Sequence, residues 1–355
     1  LNDVGLDGFS SSSTRTKNYE NGCVDFEEES AYNIGTEGGQ RIFTLPCARR
    51  MGLSATADRQ WDPAGTQAIM NFFGGIIYNY TIEQGITDGH LCHYEVHHYD
   101  IELTETEYAD CRRLTGEIGK IYHMIEKARA NREWDTVRGL EQRDKQLKGE
   151  RADVIKSAEN KIPAFEQFVQ QLQHEEKTIV FCTDRPQLQE CSDILDNHSK
   201  KFRKYHASVD LEAGRGFTPE QLQNALEDFE VGDARLLVGI GCLNEGVDIK
   251  SCTACVLISS SGTEREFIQR RGRMLRQLGT DKIAHLYDFV AYPPREIGGN
   301  AWTAKQLEDD DTTISWILRH ELARSEIIWE AANPLGAITQ AETQMGQRFG
   351  DFRKT

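Results

Sequence analysis

The spacing of apolar residues along this chain changes twice, and each change marks a different kind of structure. Residues 1–40 are rich in Gly, Ser and acidic side chains with little periodicity, the pattern of a mobile segment or lead-in loop. Short apolar stretches follow at Arg41-Ile42-Phe43 and Met51 to Thr56, and Ile76–Tyr80 and Tyr94–Leu103 predict strands. Thr104 with Glu107 three residues later is a capping box. It opens a helical stretch with Ile118, Ile121, Tyr122 and Ile125 on its apolar face. Beyond the polar break Asn131-Arg132-Glu133, Leu140, Leu147 and Val154 recur at heptad spacing, so the two stretches predict an antiparallel helical hairpin. Its dense, sign-mixed charge reads as solvated surface and is assigned no site.

From Lys161 the pattern becomes an alternation of helices and short, unbroken apolar strands. Phe165–Leu172 predicts a helix and Thr178–Cys182 a buried strand. Thr218-Pro219-Glu220-Gln221 supplies an N-cap, a proline at the first helical position and a capping-box Gln, with Leu222, Ala225, Leu226 and Phe229 facing inward. Strands over Arg235–Val238, Ala254–Ser259 and Ala284–Val290 complete the series. Such an alternation predicts an α/β fold, a parallel sheet covered by helices on both faces. Ligands in these sheets bind beyond the strands' carboxyl ends. The ends to watch are Thr183-Asp184-Arg185, Gly239-Ile240-Gly241 and Ser259-Ser260-Ser261. In the tail, Asp309-Asp310-Asp311 would precede the dipole of a helix over Ile314–Glu330, with Ile314, Ile317, Leu318 and Leu322 as its inward stripe. That stripe could serve packing on the core or a partner.

Between the last two strands lies the stretch Glu264 to Arg276. At about 100° per residue, Phe267, Ile268, Met274, Leu275 and Leu278 share one helical face. Gln269, Gly272, Arg273 and Arg276 form a stripe on the other, with Arg271 an exception inside the apolar face. Guanidinium groups stay charged and donate several hydrogen bonds in a fixed plane, so this stripe suits a polyphosphate. By itself the stripe could equally be a solvated helix face.

A net charge of −16 argues against nonspecific nucleic-acid binding by the whole surface, while leaving room for a local basic groove. No apolar run approaches membrane-spanning length, and Leu1–Lys17 resembles neither a signal nor a transit peptide. The nine cysteines lack even spacing, as expected of reduced thiols in a cytoplasmic protein. Cys252 and Cys255 precede Val256-Leu257-Ile258, and a buried strand explains them better than a metal. His90, Cys92, His93, His97 and His98 also crowd together, yet Tyr94, Val96 and Ile101 alternate with them as in a half-buried strand, which is the reading preferred to zinc.

Leu53-Ser54-Ala55-Thr56, Ile179-Val180-Phe181, Asn244-Glu245-Gly246-Val247-Asp248 and Gln269 to Arg276 stand in the order of motifs III, IV, V and VI of superfamily-two helicases. Residues 41–295 resemble that superfamily, and most closely its bacterial and archaeal DNA-translocating members of restriction, repair and phage-defence type. The resemblance implies a RecA-like second lobe whose Arg273 and Arg276 act as fingers on the transferring phosphoryl group of ATP. It implies that Gln269 holds phosphates or the attacking water, and that Asp248 reaches the ribose or braces the fingers. Gly246 and Gly272 fall in the same two nucleotide motifs. Ser54 and Thr56 would couple the nucleotide site to the nucleic-acid groove. Thr183, Arg185, Ser208, Gly239 and Gly241 would hold a phosphate backbone, which grips any sequence.

Three departures shape the expectation. The chain has no Gly-x-x-x-x-Gly-Lys-Ser/Thr and no adjacent Asp-Glu pair, and Ile240 stands where many relatives carry a motif V Thr. We therefore expect the end of a first RecA-like lobe over 41–100, a helical hairpin over 101–160, the second lobe over 161–295 and a helical tail over 296–355. The phosphate cradle and the Mg2+ ligands would come from a first-lobe segment elsewhere in the same protein or in another chain. Alone, the chain would not hydrolyse ATP; in the complete assembly it would drive a DNA helicase or translocase, with other subunits of a defence or repair complex as further partners. A non-catalytic helicase-like binding module and an RNA helicase are the competing classes.

Overall fold

The structure is a computed structural model that describes residues 17–18, 24–25, 50–53, 63–172, 177–206, 217–240, 249, 251–259 and 283–330. It divides into two units, Leu1–Thr81 and Ile82–Thr355. In the first, strand β1 (Lys17–Asn18) pairs antiparallel with β2 (Val24–Asp25). Helix α1 (Pro63–Phe73) starts on a proline, whose missing N–H costs nothing there, and stops at Gly74 and Gly75, both at positive φ. Both glycine amides donate to the Met70 carbonyl at 2.8 Å. The strand expected over Ile76–Tyr80 is not formed among the described residues, and Ile77 is 88% exposed.

The second unit is built on six parallel strands. They are β3 (His93–Glu102), β4 (Thr178–Cys182), β5 (Phe202–His206), β6 (Leu236–Ile240), β7 (Ala254–Leu257) and β8 (Ile283–Tyr292), in the spatial order β3-β8-β7-β4-β6-β5. β4 and β7 are buried throughout, as strands covered on both faces must be. This is the α/β, RecA-like fold expected. Strand β3 pairs with β8 over its whole length, so residues 93–102 are part of this sheet, whereas the sequence grouped residues 41–100 apart from it. Edge strand β5 and the helix before it had no clear signal in the sequence, because Lys201, Arg203 and Lys204 disguise an edge that charge protects from further pairing.

A short helix α2 (Ile82–Thr87) precedes β3, and after it comes the hairpin. Thr104 caps α3 (Glu105–Ala130) in a complete capping box with Glu107. The chain turns at Arg132, one of two non-glycine residues with positive φ among those described, and returns as α4 (Trp134–Lys156). Ile125, Ala128 and Val137 form a small core of their own near the turn. At the base, Glu159 N–H donates to Glu107 Oε1 at 2.7 Å and Asn160 Nδ2 to the Glu102 carbonyl at 2.6 Å. Helices α5 (Lys161–Gln171), α6 (Arg185–Asn197) and α7 (Pro219–Val231) then alternate with the strands. After β8, a small ladder of β9 (Glu296–Ile297) with β10 (Asn300–Ala301) leads into α8 (Ala304–Glu330).

The acidic run does not precede α8; it lies inside that helix, which a capping pair between Thr303 and Gln306 starts earlier. Asp310 is buried, ion-paired with Arg112 Nε at 2.7 Å and accepting from the Tyr108 hydroxyl at 3.2 Å. Ile314, Ile317 and Leu318 join the main core, so this face of α8 packs on the lobe.

Candidate functional site

The carboxyl ends of β4, β6 and β7 lie side by side, because Phe181 pairs with both Gly239 and Leu257. The chain leaves β4 for α6 on one side, while β7 leads to β8 on the other, so this is where the sheet's connections diverge. The β4 end is shaped by one turn. Asp184 is the N-cap of α6, its side chain accepting from the Gln187 amide at 2.9 Å, and Pro186 sits in the first helical turn. Gln187 reaches back, and its Oε1 accepts from the Thr183 amide at 2.9 Å. Thr183 is thereby held half-buried at the strand end, with Arg185 exposed beside it.

Gln187 also does something the sequence did not announce. Its Nε2 donates to the Lys156 carbonyl at 3.2 Å, across the fold at the end of α4. Ser259 Oγ, just past β7, donates to the same carbonyl, and Lys161 Nζ approaches it at 3.4 Å. The last carbonyls of any helix lack intrahelical donors and carry partial negative charge. Lys156 supplies such a carbonyl, and the lobe answers with an amide, a hydroxyl and an ammonium. Lys161 is 1% exposed, so its charge is placed where a helix end offsets part of its desolvation. The Ser259 amide in turn donates to the Phe181 carbonyl. Two of the three strand ends are therefore wired to the base of the hairpin. Gln187 and Lys161 had no motif to mark them; their only trace is polarity at positions on otherwise inward helix faces.

The other expected site residues divide by location. Gly239 is buried in β6, with β4 on one side and β5 on the other. A central parallel strand spends its amides on the two ladders, so any grip on phosphate here would come from the backbone around the β6 end rather than from its middle. Ser54, Thr56, Ser208, Gly241, Gly246, Asp248, Gln269, Gly272, Arg273 and Arg276 lie outside the described residues.

Comparison with known proteins bears on the same region. Residues 160–277 match the helicase conserved C-terminal domain family. The DNA 3'-5' translocase XPB2 of Sulfurisphaera tokodaii is 23% identical over 275 residues, covering 74% of this chain and 57% of that protein. The UvrABC system protein B of Haemophilus influenzae is 27% identical over 115 residues, 31% of this chain and 16% of its own length. Dicer-like protein 2 of Cryphonectria parasitica is 29% identical over 126 residues, 32% of this chain and 8% of its own. Among solved structures, a fragment of a putative HsdR subunit of a type I restriction enzyme from Vibrio vulnificus aligns with a TM-score of 0.43 at 18% identity, over 76% of this chain and 48% of that one. The helicase domain of Pyrococcus furiosus Hef aligns with a TM-score of 0.41 at 15% identity, over 75% and 70%. Residues 160–277, which hold β4 to β7, are thus similar to the helicase conserved C-terminal domain. The chain spans little more than half of the translocase it matches.

Proposed function

We propose that this chain is the C-terminal part of an ATP-dependent DNA helicase or translocase. The observation that carries the reading is the run Gln269 to Arg276 inside a segment that matches the helicase C-terminal domain. Arg273 and Arg276 stabilise the charge that develops on the phosphoryl group of substrate ATP, and Gln269 orients phosphate or water beside them. Gly246, Asp248 and Gly272 complete this wall of the nucleotide site. A first lobe, in the same protein or another chain, contributes the phosphate cradle and the Mg2+ ligands. Thr183, Arg185, Ser208 and Gly241 grip the nucleic-acid backbone without reading sequence, and Ser54 and Thr56 couple that grip to ATP. Further subunits of a defence or repair complex are partners of this assembly.

The test is DNA-stimulated ATP hydrolysis by the complete assembly. Arg273→Ala or Arg276→Ala is expected to abolish hydrolysis, a loss on the order of 10³-fold or more, while DNA binding is retained. Wild-type turnover in both variants would overturn the finger assignment. Binding to DNA and RNA oligomers at matched salt separates the DNA from the RNA reading. Nucleic-acid binding by a complete assembly that hydrolyses nothing would leave a non-catalytic module.

A further inference from the structure

On one face of the sheet, near the amino ends of its first and last strands, lies a group of side chains that the helicase reading does not use. Glu95, His97 and Tyr99 alternate along β3, and His285, Tyr287 and Phe289 along β8. The register sets Glu95 beside His285, His97 beside Tyr287 and Tyr99 beside Phe289. His97 leans along the strand toward His285, and its Nε2 lies 3.2 Å from His285 Nδ1. Glu95 Oε2 lies 3.8 Å from the first nitrogen and 3.6 Å from the second.

We infer that Glu95, His97 and His285 form a binding site for one divalent transition-metal ion, Zn2+ foremost, that fastens β3 to β8. A tetrahedral Zn2+ with ligand bonds of about 2.0–2.1 Å sets its ligand atoms about 3.3 Å apart. The three separations found, 3.2, 3.6 and 3.8 Å, bracket that edge length. Two imidazoles and one carboxylate select zinc and its first-row neighbours over Mg2+ or Ca2+, which prefer all-oxygen shells. Glu95 is exposed, so the fourth position opens to solvent and takes a water.

The rings are also fixed in place before any ion arrives. Tyr287 stacks on His97 with centroids 4.8 Å apart and planes 21° apart, and Tyr287 itself rests on Phe168 of α5, which is 2% exposed. The site faces the end of the sheet opposite Thr183 and Ser259. It is therefore separate from any Mg2+ that accompanies ATP, and its failure would leave the helicase reading intact.

The experiment is equilibrium dialysis of the chelator-treated chain against Zn2+ alone, with Co2+ absorption as a second readout. One tightly held ion per chain, a visible Co2+ spectrum of tetrahedral intensity and a raised thermal midpoint are expected. His97→Ala and His285→Ala should each weaken binding by roughly tenfold or more, the scale on which even supporting partners of a metal matter. Glu95→Gln keeps the fold, because the side chain is exposed, and should weaken binding while the metal-free midpoint stays put. Unchanged Zn2+ binding in Glu95→Gln and in a folded histidine variant, or no Zn2+ bound to the wild-type chain, would overturn the site. In that outcome the three groups are an ordinary polar cluster at a sheet edge.

Discussion

The three donors that converge on the Lys156 carbonyl make a sharp quantitative prediction. Gln187→Met keeps the volume of a buried side chain but removes two hydrogen bonds, one accepted from the Thr183 amide and one donated to Lys156. Each bond is worth about 1 kcal/mol net, so this variant should lose about 2 kcal/mol. Ser259→Ala removes one donor from a carbonyl that still has two, and should cost about 1 kcal/mol. In the double variant the carbonyl keeps only Lys161, the longest of the three contacts at 3.4 Å. A buried acceptor left nearly bare costs more than a shared one, so the pair should lose about 1 kcal/mol beyond the sum. A chain of this size does not promise two-state melting. The assay is therefore local, native-state hydrogen exchange over the peptides that contain the end of α4 and the start of α6. Additivity to within about 0.3 kcal/mol would show that the carbonyl is not the shared element, and the wiring between hairpin and strand ends would have to be abandoned.

Two further outcomes follow from the hairpin's other contacts. The Arg151 guanidinium lies 3.7 Å over the Trp316 ring and donates to Thr115 Oγ1 at 2.9 Å, so Arg151→Lys should cost about 1–2 kcal/mol by losing planar stacking, which comparison with Trp316→Leu in a mutant cycle checks. The Cys111 thiol is pushed up to about 12, first by burial and then by Glu107 and Asp110, against the pull of Arg151. The folded state therefore holds this proton above the pH at which an unfolded thiol releases it, at about 8.5. Stability from this group is complete below that pH and falls as pH rises towards 12, and alkylation of Cys111 at pH 9 should track unfolding; rapid labelling of the folded chain would refute this.

The hairpin was legible because its signals are local: Thr104 and Glu107 sit within one turn, and Leu140, Leu147 and Val154 repeat without reference to anything distant. The buried strands were legible for the same reason, since five consecutive apolar or small residues in Thr178–Cys182 leave little else to be. What the sequence concealed depends on distance. β3 could be recognised as a strand but not assigned to its sheet, because its partner lies at residues 283–292 and pairing leaves no local mark. Gln187, Lys161 and Ser259 look like unrelated polar residues until the fold brings them to one carbonyl. His97 stood out in a histidine-rich stretch, yet the side chains it meets are Glu95 and the distant His285 rather than His90, Cys92, His93 or His98.

The place of β3 has a consequence for how the lobe comes into being. Its partner β8 is the last strand of the sheet to emerge during synthesis, and Glu95 meets His285 only after the hairpin and four other strands have been made. Pairing between residues so far apart is slow, because a long loop must close before any contact rewards it. Until then β3 waits as an unpaired edge, and β8 stands open to any other chain that offers a strand. A folded hairpin shortens the search by holding its two ends together, so that β3 is delivered beside the growing sheet. The hairpin is thus a device of assembly as well as a part of the finished molecule.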